Sequence, residues 1–221
     1  MNVSLRAYKS LVFDCDGVIL DSNKLKTQAF YQAALPFGET AAQALVDYHV
    51  QNGGVSRYRK FEYFLSSILG VSVNSEELEN LLTTYANIVR EGLLTCEIAP
   101  DLRELRQVLS HTRWLVVSGS DQTELRYIFE QRGLSKLFDG GIFGSPDNKI
   151  DILERETSSS NIRMPALFLG DSEYDHQAAV HSGLDFLFIS KWTEFQNWQA
   201  YCSKNQIQFI NDICELKKTS E

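Results

Sequence analysis

The feature that most constrains this chain is a set of short apolar runs held apart by helix-length segments: LVF at 11–13, WLVVS at 114–118, ALFLG at 166–170 and FLFIS at 186–190. Each run is short for a buried helix and continuously apolar, as strands covered on both faces are. Amphipathic patterns lie between them. DLRELRQVLSHT spaces Leu102, Leu105 and Leu109 at three and four residues, one face of a helix. DQTELRYIFEQRG opens on a capping aspartate, closes on a glycine and gathers Leu125, Ile128 and Phe129; DSEYDHQAAVHSG has the same form. Buried strands alternating with helices predict an α/β fold, a Rossmann-like three-layer arrangement with a parallel sheet between helices.

The interval from about Ser22 to Thr95 breaks that alternation. It reads as helices only: KLKTQAFYQAAL, FEYFLSSILG and SEELENLLTTYANIVREGLL, the last capped by Ser75 and burying Leu78, Leu81, Leu82 and Tyr85. A helical block between the first and second strands is expected to be an insertion at the carboxyl edge of the sheet. The expected division is an α/β core of residues 1–20 and 97–221 and a helical domain of 21–96. Asp21 and Ser22 form the way out, and IAPDL at 98–102 the return.

A net charge of −8 over 221 residues, with no basic block, argues against nucleic acid and anionic membranes as partners. No apolar run approaches the roughly 20 residues that span a bilayer, and MNVSLRAYKS has no apolar signal-peptide core. Cys15, Cys96, Cys202 and Cys214 show neither C-x-x-C nor zinc spacing, so they are expected to be unpaired in a reducing compartment. A cytoplasmic, soluble protein is the expectation.

Polar residues gather where strands end, which in open α/β sheets is where ligands bind. The first run leads into DCDG, with Asp14 and Asp16 one residue apart and Gly17 able to turn the backbone. Alone this could be a turn. The second run ends in VVSGS, where the Ser118 hydroxyl and the amides of Gly119 and Ser120 could cradle an anion, unless Ser118 merely caps a helix. The third named run ends in GDSEYD, adding Asp171, Glu173 and Asp175, a carboxylate set suited to Mg²⁺. Lys149 in IFGSPDNKIDIL offers a fixed positive charge. A carboxylate nucleophile, a neighbouring acid, metal carboxylates, a phosphate-holding serine and a lysine are what phosphoryl transfer through an aspartyl phosphate needs. On that reading Asp16 needs a raised pKa to protonate the leaving alkoxide.

These residues, in this order, resemble the four motifs of the haloacid dehalogenase superfamily: DCDG at 14–17, the serine of VVSGS, Lys149 and GDSEYD at 170–175. The helical block after the first motif resembles the family's α-helical cap, as in phosphoglycolate phosphatase and β-phosphoglucomutase. The resemblance implies Asp14 as nucleophile and Mg²⁺ ligand, and Asp16 as general acid/base that gives its backbone carbonyl to the metal. It implies Asp171 as a further ligand, with Asp175 orienting the metal site. Ser118, Gly119, Gly17 and Lys149 would hold the phosphoryl group. Arg57, in GGVSRYRKF, matches an arginine that grips a distal phosphate, with Arg59 and Lys60 as weaker candidates; Glu173 has no counterpart. The partner so implied is a small phosphorylated metabolite, perhaps a sugar phosphate, hydrolysed by a Mg²⁺-dependent phosphomonoesterase.

Three alternatives differ in what they require. A sugar-phosphate mutase would share the chemistry, although Lys26 stands where β-phosphoglucomutase carries histidine. A receiver-like phospho-acceptor domain would lack both the helical insertion and the aspartate at position 16. A catalytically silent binding protein would not need every catalytic position filled. Substrate identity and oligomeric state depend on surfaces that no motif encodes.

Overall fold

The computed structural model describes residues 5–219. Its centre is a six-stranded sheet, parallel throughout, with strands β1 (Ser10–Phe13), β2 (Arg113–Asp121), β3 (Gly141–Ser145), β4 (Ala166–Gly170), β5 (Asp185–Ile189) and β6 (Gln208–Ile210). They lie in the order β3-β2-β1-β4-β5-β6. The four apolar runs are all strands. Two more escaped the pattern: β3 is interrupted by glycines, and β6 is a three-residue edge strand exposed at two of its positions.

Side chains alternate across the sheet as a period of two requires. Leu11, Phe13, Trp114, Val116, Leu167 and Leu169 enter the larger core; Val12, Leu115, Val117, Ala166 and Phe168 enter the smaller one. The larger core is built around Phe13, whose ring lies 4.7 Å from Trp114 and 5.7 Å from Phe138. Truncating such a ring to alanine costs about 3–5 kcal/mol. The smaller core packs beneath two helices, α7 (Lys149–Ser158) and α8 (Glu173–His181), through Ile152, Leu153, Ala178 and Ala179.

Between β1 and β2 the chain forms α1 (Asn23–Ala34), α2 (Glu39–Gln51), α3 (Arg57–Tyr63) with a π-turn at Phe64–Ile68, and α4 (Ser75–Thr95). No strand occurs among residues 23–95. The exit and return strands of this block run side by side: Leu20 bridges Ile98, Asp21 N–H donates to Glu97 at 2.9 Å, and Ala99 N–H donates to Ile19 at 2.8 Å. Two details differ from the sequence reading. Helix α2 lies in a stretch with no strong apolar period. The cap of α4 is Asn74, which accepts from Glu77 N–H at 2.7 Å, and not Ser75, because the extended backbone needed at a cap falls one residue earlier. The four helices close on their own aromatic cluster, with Phe30 4.5 Å from Tyr85 and 5.2 Å from Phe61.

Helix α5 (Leu102–Val108) leads into β2 and α6 (Gln122–Gln131) follows it, both on the larger core, and α9 (Trp198–Lys204) precedes β6. All four cysteines are unpaired. No helix among the described residues is long and apolar enough to cross a membrane.

Candidate active site

Strand β1 is the switch point of the sheet, with β2 on one side and β4 on the other, so the residue after Phe13 emerges between two strand ends. That residue is Asp14. Its N–H is fixed by the carbonyl of Leu169 at 2.9 Å, and its Oδ1 accepts from Cys15 N–H at 2.8 Å. The chain then turns tightly, with Gly17 N–H donating to Leu20 and Leu20 N–H to Cys15, each at 2.9 Å. Gly17 makes this turn at φ +75°, and a Cβ there would lie 2.1 Å from Asp171 Oδ2. No other residue fits both the backbone and the space.

Asp171 follows β4 and is held from two sides. Asn23 Nδ2 donates to its Oδ2 at 2.7 Å, and Thr193 Oγ1 donates to its backbone carbonyl at 2.6 Å. The helix α8 is capped by Ser172 rather than by Asp171, with Asp175 completing a reciprocal capping box. This leaves Asp171 out of the cap and ties Asp175 into it. Asp175 Oδ2 accepts from Ser172 Oγ at 2.6 Å and from the amides of Ser172 and Asp171 at 3.1 and 3.2 Å. Its Oδ1 accepts from Lys149, whose ammonium also lies 2.9 Å from Asp14 Oδ1.

One oxygen each of Asp14, Asp171 and Asp175 falls within 4.8 Å of the others, all buried. A single lysine faces these three acids, and the imbalance is visible in their titration. Burial, then repulsion from Asp175 and Asp16, pushes Asp14 up to about 7 against the opposing pull of Lys149. Burial and the charges of Asp175 and Asp14 raise Asp171 well above the usual carboxylate range. Asp14 Oδ2 and Asp171 Oδ1 receive no hydrogen bond among the described residues. Two free carboxylate oxygens in an over-negative buried site are the donor set that a hard divalent cation fits. With Asp175 occupied by donors, Asp14 and Asp171 are the ones left to ligate.

Asp16 faces the other way. Its Oδ1 accepts from Ser22 Oγ at 2.5 Å, and its Oδ2 from Lys26 Nζ at 2.6 Å and Ser120 Oγ at 2.7 Å. Burial would raise its pKa, but the Lys26 ammonium and the two hydroxyls outweigh it and hold the carboxyl down at about 2. The raised pKa expected of a proton donor is therefore absent in this conformation, and the reason is Lys26. Burial opposes the charge on Lys26, but Asp16 more than compensates and raises its pKa.

Ser118 is buried, and its hydroxyl accepts from Ser120 N–H at 3.1 Å. It is not a helix cap: Asp121 caps α6 by accepting from Glu124 N–H at 2.8 Å. Gly119 lies against the loop before α3, where a Cβ would come 2.2 Å from the carbonyl of Gly54. A cavity of about 330 Å³ opens between the sheet edge and the helices, reached by Asp14, Asp16, Lys26, Arg57, Lys60, Gly119 and Asp171. Arg57 borders it, with its charge matched by acids: Nη1 donates to both oxygens of Glu124 at 3.0 and 3.2 Å, Nη2 lies 3.9 Å from Asp121, Nε is buried without a hydrogen-bond partner among the described residues, and the group stacks 5.3 Å over Tyr85.

A family model described as haloacid dehalogenase-like hydrolase matches residues 8–183. The chain belongs to the haloacid dehalogenase-like hydrolases. No curated protein sequence matches it. Its fold is shared with a predicted phosphoglycolate phosphatase from Haemophilus somnus, 16% identical over 98% of this chain and 100% of that one, with a TM-score of 0.73. A predicted phosphatase from Clostridium acetobutylicum is 18% identical over 96% and 97%, with a TM-score of 0.73. A family IA, variant 3 hydrolase from Entamoeba histolytica is 14% identical over 94% of each chain, with a TM-score of 0.72.

In this hydrolase the fold brings Asp14, Asp171, Asp175 and Lys149 into direct contact and sets Asp16, Gly17 and Gly119 beside them. Ser118 is carried beneath Ser120, and Arg57 is turned to the sheet-side helix α6. Sequence reasoning missed Ser22, Asn23 and Ser120 as side-chain partners of the acids, and His49 and Glu194 on the cavity wall. Only Ser120, inside VVSGS, stood in a motif that could have pointed to it.

Proposed function

We propose that this hydrolase is a Mg²⁺-dependent phosphomonoesterase that cleaves small phosphorylated metabolites through an aspartyl phosphate on Asp14, with residues 21–96 as a cap over the core. The observation that carries this reading is the convergence of Asp14 and Asp171 with Lys149 at the strand ends, opening into one small polar cavity. The phosphatase names of the structural relatives agree with it.

Mg²⁺, held by Asp14, Asp171 and the backbone carbonyl of Asp16, would screen the repulsion between a carboxylate and a phosphate dianion. Lys149 supplies a second screen: its raised pKa, set by Asp14 and Asp175 against the cost of burial, keeps it charged. Asp14 is held by Cys15 N–H and Lys149 through Oδ1, which fixes the plane of its carboxylate as it attacks phosphorus and the ester oxygen departs. Asp175 takes no part in bond making; it locks Lys149 and the 171–172 backbone in place. Ser118 and the Gly119 amide would steady the phosphoryl oxygens.

Asp16 enters in two forms. As the carboxylate seen here it suits the second half-reaction, accepting a proton from the water that splits the acyl phosphate. To protonate the leaving alkoxide it must first be released from Lys26, Ser22 and Ser120, so proton donation is coupled to rearrangement at Ser22, where the chain leaves for the helical segment. The test is phosphate release from a broad ester panel with Mg²⁺ present, wild type against Asp14→Asn. Release by the wild type with trapping of phosphate on Asp14 is expected. Failure on every ester, or isomer interconversion that needs a bisphosphate primer, would overturn hydrolysis as the activity.

A further inference from the structure

Three cationic side chains of α1 and α3 reach the cavity: Lys26, Arg57 and Lys60. Lys26 is neutralised by Asp16 and Arg57 by Glu124. Lys60 has no carboxylate partner among the described residues. It lies one helical turn past Arg57 and is 2% exposed, with its ammonium 5.5 Å from the Phe30 ring. Among the described residues the one hydrogen-bond partner of its ammonium is His49 Nδ1, at 2.7 Å.

The direction of that contact follows from the next two. Thr27 Oγ1 gives its only proton to Glu194 Oε2, at 2.6 Å, so toward His49 Nε2, 3.0 Å away, it accepts. His49 therefore carries its proton on Nε2 and offers Nδ1 as a lone pair to Lys60. Burial and the nearby charges of Lys60 and Lys26 push its pKa well down, which keeps it neutral. The chain Lys60–His49–Thr27–Glu194 holds the ammonium in place without cancelling its charge. An ammonium has three protons to donate, and this one uses a single one on the protein. A buried cation left so is strongly unfavourable unless an anion completes it. Burial first, then Lys26, pulls the Lys60 pKa down to about 7, as expected of a site short of negative charge.

We infer that Lys60, oriented by His49, is the specificity-determining residue of this cavity and receives an anionic oxygen group, a carboxylate or a second phosphate, on the leaving portion of the substrate. The inference rests on the phosphomonoesterase reading for the identity of the other end of that substrate. It moves the anion-gripping role from Arg57, whose charge is already matched by Glu124, to the lysine one turn along the same helix. The ligand completes what the protein leaves unfinished: two further acceptors for Lys60 and the missing negative charge.

Three esters of one carbon skeleton test this: propyl phosphate, 3-phosphonooxypropanoate and propane-1,3-diyl bisphosphate. With the wild type, kcat/KM for an anion-bearing ester should exceed that for propyl phosphate by about 10- to 100-fold, the worth of a charge-assisted hydrogen bond. Which of the two anionic esters leads identifies carboxylate or phosphate. In Lys60→Met that ratio should collapse toward one, mainly through KM, while Lys60→Arg retains part of it. A second measurement is independent of turnover: 3-hydroxypropanoate or propane-1-phosphate-3-ol should raise the melting temperature of Asp14→Asn protein, and adding Lys60→Met should remove the rise. A wild type without preference, or a Lys60→Met that slows all three esters in equal proportion, overturns the inference. Loss of all hydrolysis in the wild type with the Lys60-dependent melting shift intact would overturn the phosphatase reading and leave the anion site standing.

Discussion

The two walls of the cavity fail to neutralise themselves in opposite senses. At the sheet edge three buried carboxylates share one lysine, and Asp14 and Asp171 titrate high as a result. On the helical wall a buried ammonium, hydrogen-bonded among the described residues only to a neutral imidazole, titrates low. Elsewhere in the same cavity charges are matched pairwise, as with Lys26 and Asp16 or Arg57 and Glu124. The matched pairs belong to the protein; the mismatches mark where something else must bind. A cation fits the first wall, and the proposed substrate would bring a phosphoryl end to it and a second charged end to the other.

The largest effect should come from removing the proposed nucleophile. Asp14→Asn is expected to lower kcat by at least about 10⁴-fold, with the circular dichroism spectrum retained. If substantial turnover survived, the acidic wall would be a metal site without covalent chemistry. Next, chelation of divalent metal should abolish turnover, and Mg²⁺ should restore it. Asp171→Asn should lower kcat/KM by roughly 10²–10³-fold while raising the melting temperature of the metal-free protein, because one of three repelling buried charges is gone. Added Mg²⁺ should stabilise the wild type more than this variant. A metal-free Asp171→Asn that melts lower than the wild type would mean the acids are not in excess.

The matched pairs should behave as structure. Arg57→Ala leaves the Glu124 carboxylate at the cavity without its cation and is expected to destabilise the fold by about 1–3 kcal/mol in denaturant titration. If it instead left stability unchanged and removed only the preference for anionic esters, the gripping role would return to Arg57. The smallest effect concerns pH. Lys60 is depressed to about 7 in the folded state, facing His49 of α2, Lys26 of α1, Asp16, Lys149 of α7 and Glu194. Above about 7 the folded state has released a proton that the unfolded lysine keeps up to its ordinary value of 10.5. The unfolded state then binds more protons, so this group makes stability rise with pH between those values. Lys60→Met should flatten that part of the profile of stability against pH; an unchanged slope would show that Lys60 is neutralised after all.

Much of the fold was legible because burial on both faces of a parallel strand leaves an unbroken apolar run, and LVF, WLVVS, ALFLG and FLFIS are such runs. Strand β6 was not, since an edge strand of three residues needs no such run. The clustering of Asp14 and Asp171 was legible for a related reason. They directly follow β1 and β4, where the chain itself dictates that side chains meet above the sheet. Cap residues were read one position off, Ser75 for Asn74 and Asp171 for Ser172, because Ser, Asn and Asp are nearly equivalent as caps and only backbone angles choose among them.

By itself, then, the sequence determined the α/β class, the helical block between the first two strands and the acids that line the sheet edge, all through local periodicity and chain order. Tertiary structure alone decided which charges are cancelled. That Arg57 finds Glu124, that Lys26 ionises Asp16 against the cost of burying it, and that the Lys60 ammonium meets His49 depend on how separate elements pack against one another. The energy of a charge is set by what stands within a few ångströms of it in three dimensions, and no pattern along the chain records that distance.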